Sequence, residues 1–298
     1  PAGSKRAAFL KGENMSKDFD LRTISLGAGV QSSALYRLAV MGEITPKPDY
    51  AIFADTQNEP PWVMESVESL RKWGDIPIIV ATKGELGDEI RKAVGLKKGY
   101  FANIPFWTRS KDNPELSTPI RRHCTSDFKI KVVHKKVREL LGLKPGQRAS
   151  GKYRVEEWIG ISVDEMMRAK PSRVDWIESR WPLLYDKPMR REDIKLWLKK
   201  NNFPIPGKSA CIFCPYRRPV EYAIWRDEEP EVFAQAVKWD EMLRSGKDGL
   251  LKNINDKAYI WKDLRPLSEL PSVKELEGKD DAQVEMFNDN CETGMCGV

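Results

Sequence analysis

The chain has no stretch approaching the ~18–20 consecutive apolar residues that a membrane-spanning helix needs. Its longest apolar runs, YAIFA at 50–54 and IPIIVA at 76–81, have the length of buried strands. Neither end has a secretory layout, and no membrane partner is expected. Histidine is scarce, with only His123 and His134 in 298 residues. The five cysteines are too few and too unevenly spaced for a disulfide framework: Cys124 stands alone, Cys211 and Cys214 form a C-x-x-C, and Cys291 and Cys296 lie near the end. There is no polybasic block either. The net charge of +6 is the small difference between 50 basic and 44 acidic residues, which permits a nucleic-acid or nucleotide partner without requiring one. These absences leave a soluble, cytoplasmic protein whose cysteines serve metal or thiol chemistry.

What is present is a rhythm. Residues 1–20 show no sustained period and read as an extension, with Met15 as the natural start. From residue 21 strands alternate with helices: LRTISL, then QSSALYRLAVMGE; DYAIFAD, then PPWVMESVESLRKWG; IPIIVAT, then ELGDEIRKAVG. Strands separated by helices of this length imply βαβ units and a parallel sheet covered on both faces. Residues 97–122 break the rhythm and read as a long irregular loop. A helix at about 126–141 and a strand-like VEEWIGI follow. After about 175 the composition shifts towards Trp, Pro and charge, with helical patterns at REDIKLWLKKN and EPEVFAQAVKWDEMLRSG. The expected fold class is therefore α/β, a Rossmann-like parallel sheet with helices on both faces over 21–175. A smaller, mostly helical, cysteine-bearing module spans 176–270, and 271–298 form a partly mobile tail. Trp197, spaced with Ile194 and Leu198, reads as core rather than a base-stacking platform.

The first strand runs into LGAGVQSS, where Gly27, Gly29 and Ser32 satisfy a loose G-x-G-x-x-S. A glycine-rich turn at a helix N-terminus presents backbone N–H groups and the helix dipole to an anion. Three readings stand open: a tight turn, a dinucleotide loop with Asp55 on the ribose, and a phosphate grip using the hydroxyls of Ser25, Ser32 and Ser33. No G-K-[ST] follows, so it is not a Walker A loop. The stretch resembles the PP-loop of the ATP pyrophosphatase and adenine-nucleotide α-hydrolase superfamily, S-G-G-x-D-S, with Gln31 where that family commonly has Asp.

The C-x-x-C lets two thiolates reach one metal from a tight turn, and Cys124 supplies a third soft donor. The basic flanks in RRHCTSDFK and KSACIFCPYRR favour the thiolate form. Zinc, a redox dithiol, unpaired buried cysteines and an iron–sulfur cluster with one open iron all remain compatible with that spacing.

The order of these motifs is more specific than any one of them. The PP-loop, then R-x-C-T-x-x-x-K-I, then G-I-S-x-D-E-x-x-R, then S-A-C-x-x-C-P resembles the phosphoadenosine phosphosulfate reductase family over about residues 22–245. It is also similar to the ATP pyrophosphatase of DNA phosphorothioate modification. The resemblance implies an adenine-nucleotide site at the carboxyl ends of the strands and a [4Fe-4S] cluster on Cys124, Cys211 and Cys214. It implies that the Ser25–Ser33 loop holds phosphates of ATP or an adenylyl sulfate, with Asp55 at the crevice mouth. Gly160, Ser162, Asp164 and Arg168 line the nucleotide from the other side, the glycine admitting it and the acid holding Mg²⁺. Arg121, Arg122 and Lys129 are the implied anion contacts. Two reactions follow as expectations. One is ATP-dependent sulfur transfer to DNA, tRNA or a nucleotide, with a sulfur or electron donor protein as partner. The other is sulfonucleotide reduction, with Cys124 or the tail pair Cys291 and Cys296 as catalytic thiols; the tail lacks the E-C-G-L-H form of resembling reductases. A zinc-stapled, non-catalytic nucleotide-binding module is the third reading. A homodimer is compatible with each.

Overall fold

The computed structural model describes residues 19–95, 104–110, 112–113, 115–244 and 257–277. The expected N-terminal extension, the tail and its Cys291 and Cys296 lie outside the described residues, apart from short flanking pieces. The chain opens with β1 (Leu21–Leu26), α1 (Val30–Val40), β2 (Tyr50–Asp55), α2 (Pro61–Trp73), β3 (Ile78–Thr82) and α3 (Gly87–Gly95). A hairpin of β4 (Trp107–Arg109) and β5 (Ser117–Pro119) follows, then a π-helical turn (Ser126–Ile130) running into α4 (Lys131–Leu140). Next come β6 (Val155–Ile159), a 3-10 turn (Val163–Arg168), β7 (Ile177–Arg180), α5 (Pro182–Tyr185) and α6 (Arg191–Lys200). The C-terminal part holds α7 (Pro219–Glu228), α8 (Pro230–Arg244), a 3-10 turn (Leu267–Glu269) and α9 (Val273–Glu277).

Five strands pair in parallel in the order β3-β2-β1-β6-β7. Alternation along each strand divides its side chains between two cores. On β2, Ala51 and Phe53 join the helices α1, α2 and α6, while Ile52 and Ala54 face Val132, Val133 and Val137 of α4. The sheet is thus covered on both faces, as its apolar strands require. Trp197 packs against the α1 side, in keeping with its spacing. The third core gathers α7 and α8 with Phe213, Tyr222 and Trp225, and it also takes in Leu86 and Ile90 from the α3 segment.

Two expectations are corrected. Residues 177–200 belong with the sheet rather than the second module: β7 pairs with β6, and Ile194 and Leu198 of α6 share a core with Leu35 and Leu38 of α1. The four residues of β7, IESR, are too short and too charged to show a readable period. The irregular loop also contains structure, the three-residue strands β4 and β5. Trp107 anchors that hairpin, its indole N–H donating to the Pro215 carbonyl at 3.2 Å in the turn after Cys214.

The strand order positions the site. From β1 the chain crosses to β2 on one side, and from β6 to β7 on the other. The crevice between the carboxyl ends of β1 and β6 is therefore the topological switch point, where open α/β sheets bind ligands.

Candidate active site

The loop leaving β1 is built by its own side chains. Ala28 lies in the left-handed region at φ +57°, a conformation that costs a non-glycine residue of order 1 kcal/mol and that clusters at functional turns. The Ser32 hydroxyl accepts from Gly27 N (3.2 Å) and donates to Gly29 O (3.4 Å), closing the loop on the first turn of α1. Ser32 therefore shapes the loop with the oxygen that the sequence reading aims at phosphate. Ser33 Oγ, fully buried, has no hydrogen-bond partner among the described residues. Beside the loop a small cleft is lined by Ser25, Gly27, Phe53, Ala54 and Lys129.

Across the crevice, the segment after β6 approaches α1 closely. A Cβ on Gly160 would lie 3.0 Å from Ser32 N and Cα and 3.1 Å from the Gln31 carbonyl carbon. The glycine is what permits this backbone-to-backbone packing. Gln31 is buried here and its amide is fully used. Nε2 donates to Glu165 Oε2 (3.1 Å) and Ser162 Oγ (3.5 Å), and Oε1 accepts from Arg191 Nη1 (3.4 Å). Glu165 in turn pairs with Arg168 at 2.7 Å. Burial pushes the Arg168 guanidinium below its ordinary range, and Arg122 and Arg191 push the same way against Glu165. Two further guanidinium groups thus act on the Arg168 that is paired with Glu165. Arg122 also lies over the Tyr216 ring, 5.0 Å from its centroid, and its buried Nε has no hydrogen-bond partner among the described residues. Arg121 is exposed.

The cysteine pocket adjoins this crevice. Its turn is held by Cys214 N donating to Cys211 O (3.0 Å), by Ile212 N donating to Asn58 O (2.7 Å), and by the Tyr222 hydroxyl donating to the Ile212 and Cys214 carbonyls. Cys211 is buried, with Sγ 3.1 Å from the Thr56 hydroxyl; that hydroxyl donates to Glu59 Oε2 at 2.6 Å. Lys129 stands 3.8 Å from the other Glu59 oxygen. Burial pushes the Glu59 carboxyl up, with Lys129 pulling against it. Burial also pushes the Cys124 thiol up despite Arg122, and raises Cys211 well above the ordinary thiol range with help from Glu59. At Cys124 and Cys211 desolvation thus outweighs the basic flanks and favours the protonated thiol in the metal-free pocket.

Cys124 and Cys211 each interact electrostatically with Cys214, and all three border the same apolar core. No set of three His, Cys, Asp or Glu side chains among the described residues is placed to hold a single metal ion. The arrangement does not fit one zinc ion, which draws its donors to ~2.3 Å from a single point. Arg122 and Lys129 both act on Cys124, and Lys129 acts on Cys211 as well, so the thiols share one pocket with two basic side chains. Mg²⁺ fits poorly. Asp164 Oδ1 accepts from Arg191 N at the start of α6 (2.9 Å), Asp55 Oδ1 turns back to Gln57 N (2.7 Å), and Glu165 is paired with Arg168. Each nearby carboxylate is turned to a partner of its own.

The sequence reading missed Thr56, Glu59, Glu165 and Arg191. Glu59 is visible as a second acid four residues after Asp55, and Glu165 sits inside the quoted motif beside Asp164. Arg191 is one basic residue in an ordinary helical pattern and carries no local signal.

The fold and site together define a parallel α/β protein with a glycine- and serine-bearing loop at its switch point and a cysteine pocket beside it. Among solved structures, the chain is similar to phosphoadenylyl-sulfate (PAPS) reductase from Candida auris in a phosphate complex, with 14% identity and a TM-score of 0.38, over 64% of this chain and 79% of that one. No protein-family model and no curated protein matches the chain. No helix among the described residues is long and apolar enough to cross a membrane.

Proposed function

We propose that this chain is an adenine-nucleotide-dependent sulfur-transfer enzyme in which the nucleotide crevice and the cysteine pocket form one site. The observation that carries this reading is Lys129. Its side chain lines the cleft at Ser25 and Gly27, and its charge also acts on both Cys124 and Cys211. A nucleotide phosphate held at the loop therefore lies beside the thiols.

In this reading the Gly27–Ser33 loop binds ATP phosphates through backbone N–H groups and the Ser33 hydroxyl, with Arg168, Arg191 and Lys129 compensating charge. An oxygen of a nucleic-acid or nucleotide acceptor attacks the α-phosphorus and pyrophosphate leaves. A sulfur nucleophile, supplied by a donor protein at the cysteines, then forms the new bond to the acceptor as AMP departs with the oxygen. Cys124, Cys211 and Cys214 would hold a [4Fe-4S] cluster, which when bound supplies an iron site for sulfur. The protein's part is orientation and electrostatics. Asp55 at the crevice mouth and the Gly160–Arg168 segment bound the nucleotide.

The crowding of Arg122, Arg168 and Arg191 favours a second reading, sulfonucleotide reduction, because such a site suits a ligand with two anionic groups. Anaerobically purified full chain, assayed with ATP and separately with an adenylyl sulfate, separates the two. Pyrophosphate release from ATP supports the first; ATP-independent sulfite release supports the second. A colourless protein lacking iron after anaerobic purification sinks the cluster assignment.

A further inference from the structure

Gln31 opens a question that the nucleotide site alone does not answer: how the charge of a polyphosphate is balanced. The loop carries a neutral amide where a PP-loop commonly has a carboxylate. That amide is not idle, since it joins Glu165 (3.1 Å) to Arg191 (3.4 Å) across 134 and 160 residues of sequence. Each carboxylate that borders the crevice already has a partner: Asp164 at the α6 N-terminus, Asp55 at Gln57 N, Glu165 at Arg168, and Glu59 at Thr56. Around them stand Arg122, Arg168, Arg191 and Lys129. Arg168 is buried, so its field is poorly screened by water.

Resting on the nucleotide reading above, we propose that the crevice takes its nucleotide phosphates without a divalent cation, with Arg168 and Arg191 supplying the compensating charge and Gln31 setting that preference. A metal ion entering with the phosphates would meet guanidinium groups and would find each nearby carboxylate already engaged through at least one oxygen. An anion alone relieves the repulsion among the arginines. An aspartate at position 31 would face Glu165 directly, and a cation would then be needed between them.

The test is equilibrium binding of ATP to the full chain, followed by titration calorimetry in EDTA and again in saturating Mg²⁺. The wild-type protein is expected to bind at least as tightly in EDTA as in Mg²⁺. In Gln31→Asp, affinity in EDTA is expected to fall tenfold or more, with most of the loss restored by Mg²⁺. Wild-type affinity tenfold weaker in EDTA overturns this inference and leaves the nucleotide site standing. Binding under neither condition overturns both. A folded Gln31→Asp protein, checked by circular dichroism, that binds like wild type in both buffers overturns the role of Gln31. The wild-type comparison decides the central point even if that variant does not fold.

Discussion

The crevice at the β1 loop and the cysteine pocket share Arg122 and Lys129, yet they handle charge in opposite ways. At the crevice, Arg122 and Arg191 both act on the buried Arg168, which is paired with Glu165, so charged groups are kept together there. In the pocket, burial suppresses charge: the Cys124 and Cys211 thiols and the Glu59 carboxyl are all pushed towards their neutral forms. In the proposed function the first arrangement receives the nucleotide phosphates and the second exchanges its thiol protons for a metal.

The sharpest way to break the comparison is to remove the pocket's packing. Phe213 lies between the two cysteines of the turn, fully buried, with its ring centroid 5.0 Å from Trp239 and 6.4 Å from Phe106. Phe213→Ala is expected to cost about 3–5 kcal/mol in chemical denaturation and to disorder the cysteine side. A loss below about 1 kcal/mol would show that the pocket is not rigidly packed. Next is Gly160→Ala, whose methyl group meets backbone rather than a movable side chain. Overpacking of this kind costs about 1–3 kcal/mol and should separate the β6 segment from α1, weakening nucleotide binding at least tenfold by calorimetry. Unchanged affinity and melting temperature would contradict the close approach.

Arg168→Gln tests the crevice alone. Losing a charged hydrogen-bond donor to phosphate is worth about 1.5–3 kcal/mol, so nucleotide affinity should fall roughly 10- to 150-fold, while cluster iron content stays as in wild type. Loss of iron with unchanged nucleotide affinity would reverse the assignment of the two halves.

How much of this was legible in the sequence depends on whether the signal was local. The strands β1, β2 and β3 were readable because each is an apolar run bounded by turn residues. The loop was readable because its glycines and serines are adjacent. Arg191 was not, since α6 reaches Gln31 only through packing on α1. The thiol protonation state was likewise hidden: the basic flanks are visible as letters, whereas the desolvation that outweighs them exists only after Phe213, Tyr222 and Trp225 close the core.

The smallest effect sharpens the pocket's side. Glu59 has a raised folded-state carboxyl, so it holds a proton that the unfolded chain has released above its ordinary carboxylate range, near ~4.3. Stability from this group is present below that range and is lost as pH rises through the folded value. Glu59→Gln removes the loss. The variant should match wild type near pH 4 and exceed it at pH 7 in denaturant midpoint, and a variant less stable at pH 7 would show the carboxylate to be ionised and well paired with Lys129.

The central claim, one site rather than two, is tested most directly by nucleotide protection of Cys124. Metal-free protein is treated with iodoacetamide near pH 8.5, with and without saturating ATP, and modification at Cys124 is followed by mass spectrometry. The expected result is at least fivefold slower modification with ATP bound. An unchanged rate at demonstrated saturation would contradict the claim and separate the crevice from the cysteines.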